Sequence, residues 1–324
     1  MKRISALTIA AGRETHLANV IEGFSRQDLL PDELIIGVMQ DSPYEDLPAA
    51  PFPVRQISLG GRDLNLSAAR NAVAEAATGD LLAFVDVDCI PAPSFLADYA
   101  NVTDEAQGIL MGEVSYLPKG AADNGVDYPL FDEVGEKHSD RAAPPKNPYA
   151  ACEDYRCFWS LNFAIGRAAW EAIGGFDERY VGYGGEDTDF GRTAEARDVP
   201  IWWVRGARVY HQHHAHCMPP IHHVASVVRN AEVFASKWGH RTMEHWLYAF
   251  QLMGLIESNE TGIRILREPN EADFALCRQT DAPYANTRRV LDILQGIDRE
   301  GTSNATRTAE VDAAQTRLTH IAAE

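Results

Sequence analysis

The sequence predicts an α/β fold: a mixed, mainly parallel sheet flanked by helices, followed by a helical C-terminal extension. Three observations lead there. The chain opens strand, helix, strand at short spacing. The unbroken apolar run from Leu81 to Val85 ends abruptly at Asp86-Val87-Asp88. From Ile221 onward, apolar residues recur at helical spacing. With 324 residues, 45% of them hydrophobic, there is ample material for a core. The net charge of −18 argues against nucleic acid and anionic membrane as main partners, since both require Lys and Arg to neutralise phosphate. Five irregularly spaced cysteines read as reduced thiols, with no disulfide framework. No apolar run approaches membrane-spanning length and no signal-peptide pattern opens the chain, so the expected compartment is the cytoplasm.

Ile4 to Ala10 is apolar enough for a first buried strand. Ala11-Gly12-Arg13 then turns into an amphipathic helix through Leu17, Val20, Ile21 and Phe24. The second strand, Glu33 to Val38, runs out at Gln40-Asp41, completing a βαβ unit whose connection should be right-handed. No G-x-G-x-x-G follows the first strand, which removes the main support for dinucleotide binding. Asp41 suits a contact to a nucleotide base or ribose, and equally the start of an Asp-Ser-Pro turn. A third strand is expected near Val54 to Leu59. The helix over 66–77 then has Ser67 as its expected N-cap and Gly79 just past its end. Arg70 interrupts the apolar face of that helix, as either a solvated cation or a partner for acids or phosphate.

The run over 81–85 suits a strand buried on both faces. Its carboxyl end places Asp86 and Asp88 where open α/β sheets bind ligands. Buried unpaired charge is costly, and a hard divalent cation carrying a phosphate ligand would balance the pair. Asp-x-Asp alone is a weak signal, for which a turn or a helix N-cap is the commoner explanation. After a further strand from Ile109 to Tyr116, residues 117–149 lack periodicity and are rich in Gly, Pro, Asp and Lys. So long a connection is a functional lid or a disordered insertion, and a mobile loop over the site is the favoured reading.

Strand character resumes from Cys157 to Ile165, and Arg167 to Ile173 is a short helix. The stretch from Gly174 to Phe190 follows, in which five glycines permit close backbone approach. Glu186, Asp187 and Asp189 open a helix reaching Arg197, where the helix dipole favours their ionised forms. Capping explains such acids standing alone; with glycines and aromatics in front of them, a sugar-holding, base-supplying role is the better reading. Strands over 201–204 and 207–210 lead into His211. Six of the eleven histidines lie between His211 and His223, a cluster able to complete a carboxylate metal site. Helices are expected from Ile221 to Trp238, Met243 to Ile256 and Tyr284 to Ile297.

Taken in order, Ala69-Arg70-Asn71, Asp86-Val87-Asp88, Gly174-Gly175-Phe176-Asp177, Gly184-Gly185-Glu186-Asp187 and Val209-Tyr210-His211 resemble the family 2 glycosyltransferases of the GT-A (Rossmann-like) fold. The second half resembles the β-1,4-galactosyltransferases. The resemblance covers about residues 5–214. It implies a catalytic domain over 1–220, with a nucleotide-sugar and metal half over 1–115 and an acceptor and base half over 150–220. Residues 221–324 would form the helical extension.

The resemblance further implies inverting transfer from a nucleotide diphosphate sugar, most simply a UDP-sugar, to a saccharide or glycoconjugate hydroxyl. Asp86 would face ribose or metal and Asp88 would ligate Mn²⁺ or Mg²⁺. His211 would be the opposite ligand, with His213 and His214 in reserve. Asp187 would be the general base and Glu186 would hold the acceptor. Ala10, Gly12, Arg13, Asp41 and Arg70 would line the donor site with the two acids. The first strand lacks the usual Pro-Thr-Tyr-Asn-like turn, and Tyr183 stands where the galactosyltransferases have Trp. Peripheral association with a membrane glycan assembly is compatible with this reading. Two alternatives remain at this point: a non-catalytic metal- or carbohydrate-binding protein using the histidines from His211 to His223, and a sugar nucleotidyltransferase, which wants a Gly-rich basic N-terminal loop.

Overall fold

The computed structural model describes residues 2–61, 65–259 and 262–301. The chain divides into two units. The first is residues 1–214 with Asp281–Tyr284, and the second holds 215–280 and the chain from Ala285.

The first unit is built on β1 (Ile4–Ala10), α1 (Glu14–Ser25), β2 (Glu33–Val38), β3 (Val54–Ser58), α2 (Leu66–Ala76) and β4 (Leu81–Val85). It continues with β5 (Cys89–Pro91), α3 (Phe95–Val102), β6 (Ile109–Met111), β7 (Val114–Tyr116), α4 (Tyr128–Val134), β8 (Tyr149–Ala151) and β9 (Asn162–Gly166). It closes with α5 (Arg167–Ile173), α6 (Glu186–Ala196), β10 (Ile201–Val204) and β11 (Val209–His211). Among the described residues the main sheet has eight strands in the order β3-β2-β1-β4-β9-β6-β10-β8. β1 is parallel to β2 and β4, whereas β9 runs antiparallel to β4 and β6, so the sheet is mixed and mostly parallel. A second sheet, β5-β11-β7, lies beside the carboxyl end of β4.

β4 shows why its sequence is apolar throughout. Leu81, Ala83 and Val85 enter one core layer with Leu17, Phe24 and Phe95, while Leu82 and Phe84 enter the other with Val73, Phe163 and Phe190. Alternation within the strand is therefore invisible, because both faces are covered.

Several expectations are corrected locally. α2 is capped by Asn65, whose side chain accepts from the Ala68 N–H at 2.8 Å, and Ser67 lies fully buried inside the helix. The strand expected over 109–116 breaks at Gly112 and serves two sheets. A Cβ at Gly112 would stand 2.1 Å from the Ala207 carbonyl oxygen, so only glycine lets the chain change sheets there. Residues 155–157 form a 3₁₀ turn, and the strand after it begins only at Asn162. Within 117–149, α4 is capped by Asp127, and Tyr116 and Glu136 form an antiparallel bridge.

The second unit holds β12 (His216–Cys217), α7 (Val224–Trp238), α8 (Glu244–Leu252), β13 (Ile256–Asn259), β14 (Gly262–Ile265), α9 (Glu271–Cys277), β15 (Arg278–Gln279) and α10 (Thr287–Gly301). It is thus not purely helical. The helix expected to reach Ile256 stops at Leu252, and Ile256 instead opens an antiparallel hairpin in which it pairs with Ile265. Alternating Ile256, Ile263 and Ile265 favour strand over helix because β-branched side chains fit the pleat. No helix among the described residues is long and apolar enough to cross a membrane.

Candidate active site

The turn after β4 carries Asp86 and Asp88 in divergent directions. Asp86 meets Arg70 of α2 at 3.2 Å, whereas Asp88 turns toward β11 and the residues that follow it. Gln212 fixes that approach: its N–H donates to the Asp88 carbonyl at 2.6 Å, and its side chain bonds Asn19 at 2.8 Å. His211 Nε2 then stands 3.6 Å from one Asp88 oxygen and His214 Nε2 stands 3.5 Å from the other. The ligand atoms of Asp88, His211 and His214 all lie within 4.8 Å of one another. His213 belongs to the same turn but outside this group, where His16 hydrogen-bonds its backbone.

Arg13 reaches Asp88 from the other side. It sits at the start of α1 with φ of 56°, a left-handed conformation unusual for a residue with a Cβ. Gly12 precedes it, also left-handed, with its N–H donating to Gln40 and its carbonyl accepting from the Tyr44 hydroxyl. Ala10 is buried at the end of β1, and Asp41 lies against Gly61, where an added Cβ would approach it to 3.2 Å. Among the described residues, neither Ala10 nor Asp41 forms a hydrogen bond or ion pair with the acids.

The second cluster is set by backbone conformation. Gly184 and Gly185 have φ of 90° and 93°, and Gly185 is the N-cap of α6. Only glycine takes these angles without strain, so the Gly-Gly pair is what swings Glu186 and Asp187 into the first turn beside Arg70. Arg70 is 5% exposed and lies 3.7 Å from Glu186 and 4.0 Å from Asp187, as well as against Asp86. The Phe176 ring, 5.3 Å away, covers its guanidinium. The Ser160 N–H donates to Asp187 Oδ2 at 3.0 Å, while Asp187 Oδ1 and Glu186 Oε2 are buried without a hydrogen-bond partner.

Electrostatics separates the two clusters. Burial opposes ionisation of Asp88, but the facing His211, His214 and Arg13 hold its carboxyl well below the usual range. Burial also holds the His211 imidazole down to about 4, so at neutral pH that ring is uncharged beside Asp88, while Arg13 keeps its positive charge there. An ionised carboxylate beside a neutral imidazole is the donor state a divalent cation requires. Glu186 is pushed up to about 7 by burial and by Asp187, against the pull of Arg70. Two guanidiniums, Arg13 and Arg70, thus face four acids, and Asp88 with the two imidazoles forms a group that could hold a metal ion.

Three neighbours carried no sequence signal. Ser160 enters through its backbone. Tyr116 packs on His211 with ring centroids 4.9 Å apart, and Tyr284 returns from far along the chain to pack on Tyr116 at 5.4 Å. The pairing of β7 with β11, which sets Tyr116 opposite His211, is the only rule that would have found any of them.

Fold and site together define a mixed α/β protein that gathers acids and imidazoles around the carboxyl end of its central strand. Residues 5–124 match the family model for glycosyl transferase family 2, and residues 143–215 match one described as the N-terminal domain of galactosyltransferase. The first of these segments is therefore similar to the family 2 glycosyl transferases and the second to a galactosyltransferase domain. It is similar to validoxylamine A glucosyltransferase of Streptomyces hygroscopicus subsp. limoneus, 24% identical over 227 residues covering 61% of this chain and 49% of the relative. The chain thus spans about half the length of that curated relative. Among solved structures it is similar to S. aureus TarS 1-349, at 16% identity and a TM-score of 0.47 over 72% of this chain and 65% of that one. It is also similar to GalNAc-T7 with UDP, GalNAc and Mn²⁺, at 15% identity and a TM-score of 0.45 over 66% and 44%.

Proposed function

We propose that this chain is a metal-dependent inverting glycosyltransferase that moves a sugar from a nucleotide diphosphate sugar, most simply a UDP-sugar, to a hydroxyl of a saccharide or glycoconjugate. The observation that carries this reading is the linkage of a carboxylate–imidazole group, Asp88, His211 and His214, to a carboxylate pair, Glu186 and Asp187, through the neighbouring Asp86 and the buried Arg70. Asp88, His211 and His214 would hold Mn²⁺ or Mg²⁺, which when bound neutralises charge on the departing diphosphate. Arg13 and Arg70 add fixed positive charge on the donor side.

Asp187 is the general base in this reading. Its Oδ2 is held by the Ser160 N–H, which leaves Oδ1 to take the acceptor hydroxyl's proton. Glu186 orients the acceptor ring. A single displacement by that hydroxyl on the face opposite the leaving group inverts the anomeric carbon, and no enzyme nucleophile is needed. Asp86, paired to Arg70, belongs on the ribose side rather than in the first ligand set.

Calorimetry with UDP in the presence and absence of Mn²⁺ tests the donor half. UDP binding strengthened by Mn²⁺ is the expected result, and UDP binding that is absent or indifferent to metal would sink the reading.

A further inference from the structure

Behind the candidate site, the segment after α4 drops one arginine between two indoles. The Arg141 guanidinium lies 5.1 Å from the Trp159 ring centroid and 5.4 Å from that of Trp203. Its Nη1 is shut off from solvent with no hydrogen-bond partner, and its one hydrogen bond to protein is a long 3.4 Å contact from Nη2 to the Gly112 carbonyl. Among the described residues it makes no ion pair. Burial pulls its pKa down, and the groups next in influence are the hydroxyls of Tyr116 and Tyr99 and the thiols of Cys157 and Cys89. Arg141 as a whole is only partly buried, but a guanidinium with one nitrogen sealed from water and no carboxylate beside it carries a desolvation cost that indole faces recover only in part.

Beside Arg141 is a cavity of about 30 Å³, lined also by Lys137, Gly112 and Trp203. That is room for a water or one small ion, and too little for a phosphate or a sugar ring. The only carboxylate on its wall, Glu113, is already engaged by the Gly206 N–H at 2.8 Å and by Arg208 at 3.1 Å.

We infer that this cavity is a binding site for a small monovalent anion, a halide or the head of a carboxylate, held by Arg141 with Lys137 at the rim. The anion supplies the counter-charge that the indoles cannot, on the side of the Arg141 side chain that lines the cavity. It also ties down the segment carrying His138, whose ring packs on Tyr116 at 5.5 Å and, through Tyr116, on His211. The site would therefore steady the wall of the candidate metal centre without taking part in transfer.

The test uses the full chain and needs no activity. Crystals soaked in sodium bromide are examined for anomalous scattering. A bromide in this cavity, within hydrogen-bonding distance of the Arg141 guanidinium, is the expected result. No peak there, or bromide scattered over surface Lys and Arg to the same height, means an adventitious ion only and overturns the inference.

In solution, melting temperatures of the wild type and Arg141→Gln are followed in sodium bromide and in sodium acetate at fixed ionic strength. Subtracting the variant removes general salt effects. At a tenfold excess over the dissociation constant, a specific anion raises the wild-type melting temperature by about 3 °C relative to the variant. A response to bromide alone identifies a halide site, and a response to acetate admits a carboxylate. Equal responses in both proteins overturn the inference. Where Arg141→Gln does not fold, the bromide crystal of the wild type still decides.

Discussion

Asp88 and Glu186 are both buried acids at the candidate site, yet one is held ionised and the other is pushed up to about 7. The difference lies in what each faces. Asp88 meets two imidazoles and has Arg13 largely to itself, whereas Glu186 sits against Asp187 and shares Arg70 with two other acids. One guanidinium for one carboxylate makes a permanent anion, fit to ligate a cation. One guanidinium among three carboxylates leaves an acid that titrates near neutrality, fit to handle protons and hydroxyls. The two halves of the proposed transfer site are thus differentiated by counting charges, before any ligand is placed.

The comparison breaks most visibly at Asp187. Asp187→Asn should lower transfer by about 10²–10⁴-fold, the usual contribution of a general base, while UDP–Mn²⁺ affinity stays within a factor of a few. If donor affinity collapses instead, Asp187 belongs to the metal side and the division into two halves is wrong. On the other side, His211→Ala or His214→Ala should weaken Mn²⁺ binding by more than about 100-fold, since loss of mere outer-shell partners already costs 10–100-fold. His213→Ala should leave it unchanged. Titration of the apoprotein with Mn²⁺ separates the three.

Arg70 is where the halves meet. Arg70→Met leaves the buried Glu186 and the partly exposed Asp86 and Asp187 without their shared cation, and should cost about 3 kcal/mol or less in denaturant unfolding, the exposed acids being screened by water. Because Arg70 pulls the Glu186 pKa down, its loss should also move the acid limb of the pH–rate profile upward from about 7. A limb that stays put would show that Glu186 ionisation is irrelevant to transfer.

Much of this was legible from the sequence because the clusters rest on local rules. An apolar run ending in Asp-x-Asp, and a Gly-Gly pair before Glu-Asp, each fix a backbone geometry that a reader can anticipate. What was not legible depends on tertiary register. That His214 joins His211, and His213 does not, follows from the turn pinned by Gln212 to the Asp88 carbonyl. Tyr116 faces His211 only because Gly112 lets the chain leave one sheet for another, and the return of Tyr284 has no sequence signal at all. In the second unit, Ile256, which opens a hairpin strand, looked like the end of a helix, since short apolar runs carry no period of their own.

A third buried acid sharpens the contrast by acting as a control with mainly neutral donors. Burial would raise Glu33, but it accepts from Thr78 N–H at 2.7 Å, Thr78 Oγ1 at 2.6 Å and Ser5 Oγ at 2.8 Å, with Arg55 at 3.0 Å, and its pKa falls to about 2. The ordinary value is 4.5, so the folded state holds this carboxylate ionised where the unfolded chain would protonate it. Its stabilisation is complete above about pH 4.5 and is lost as pH falls through 2. The shift corresponds to about 3 kcal/mol at most. Glu33→Gln should flatten the stability–pH curve between pH 5 and 2 and leave Mn²⁺ binding untouched. An unchanged slope would show that hydrogen bonds from neutral groups cannot hold an acid down here, and that the cations around Asp88 are indispensable to its ionised state.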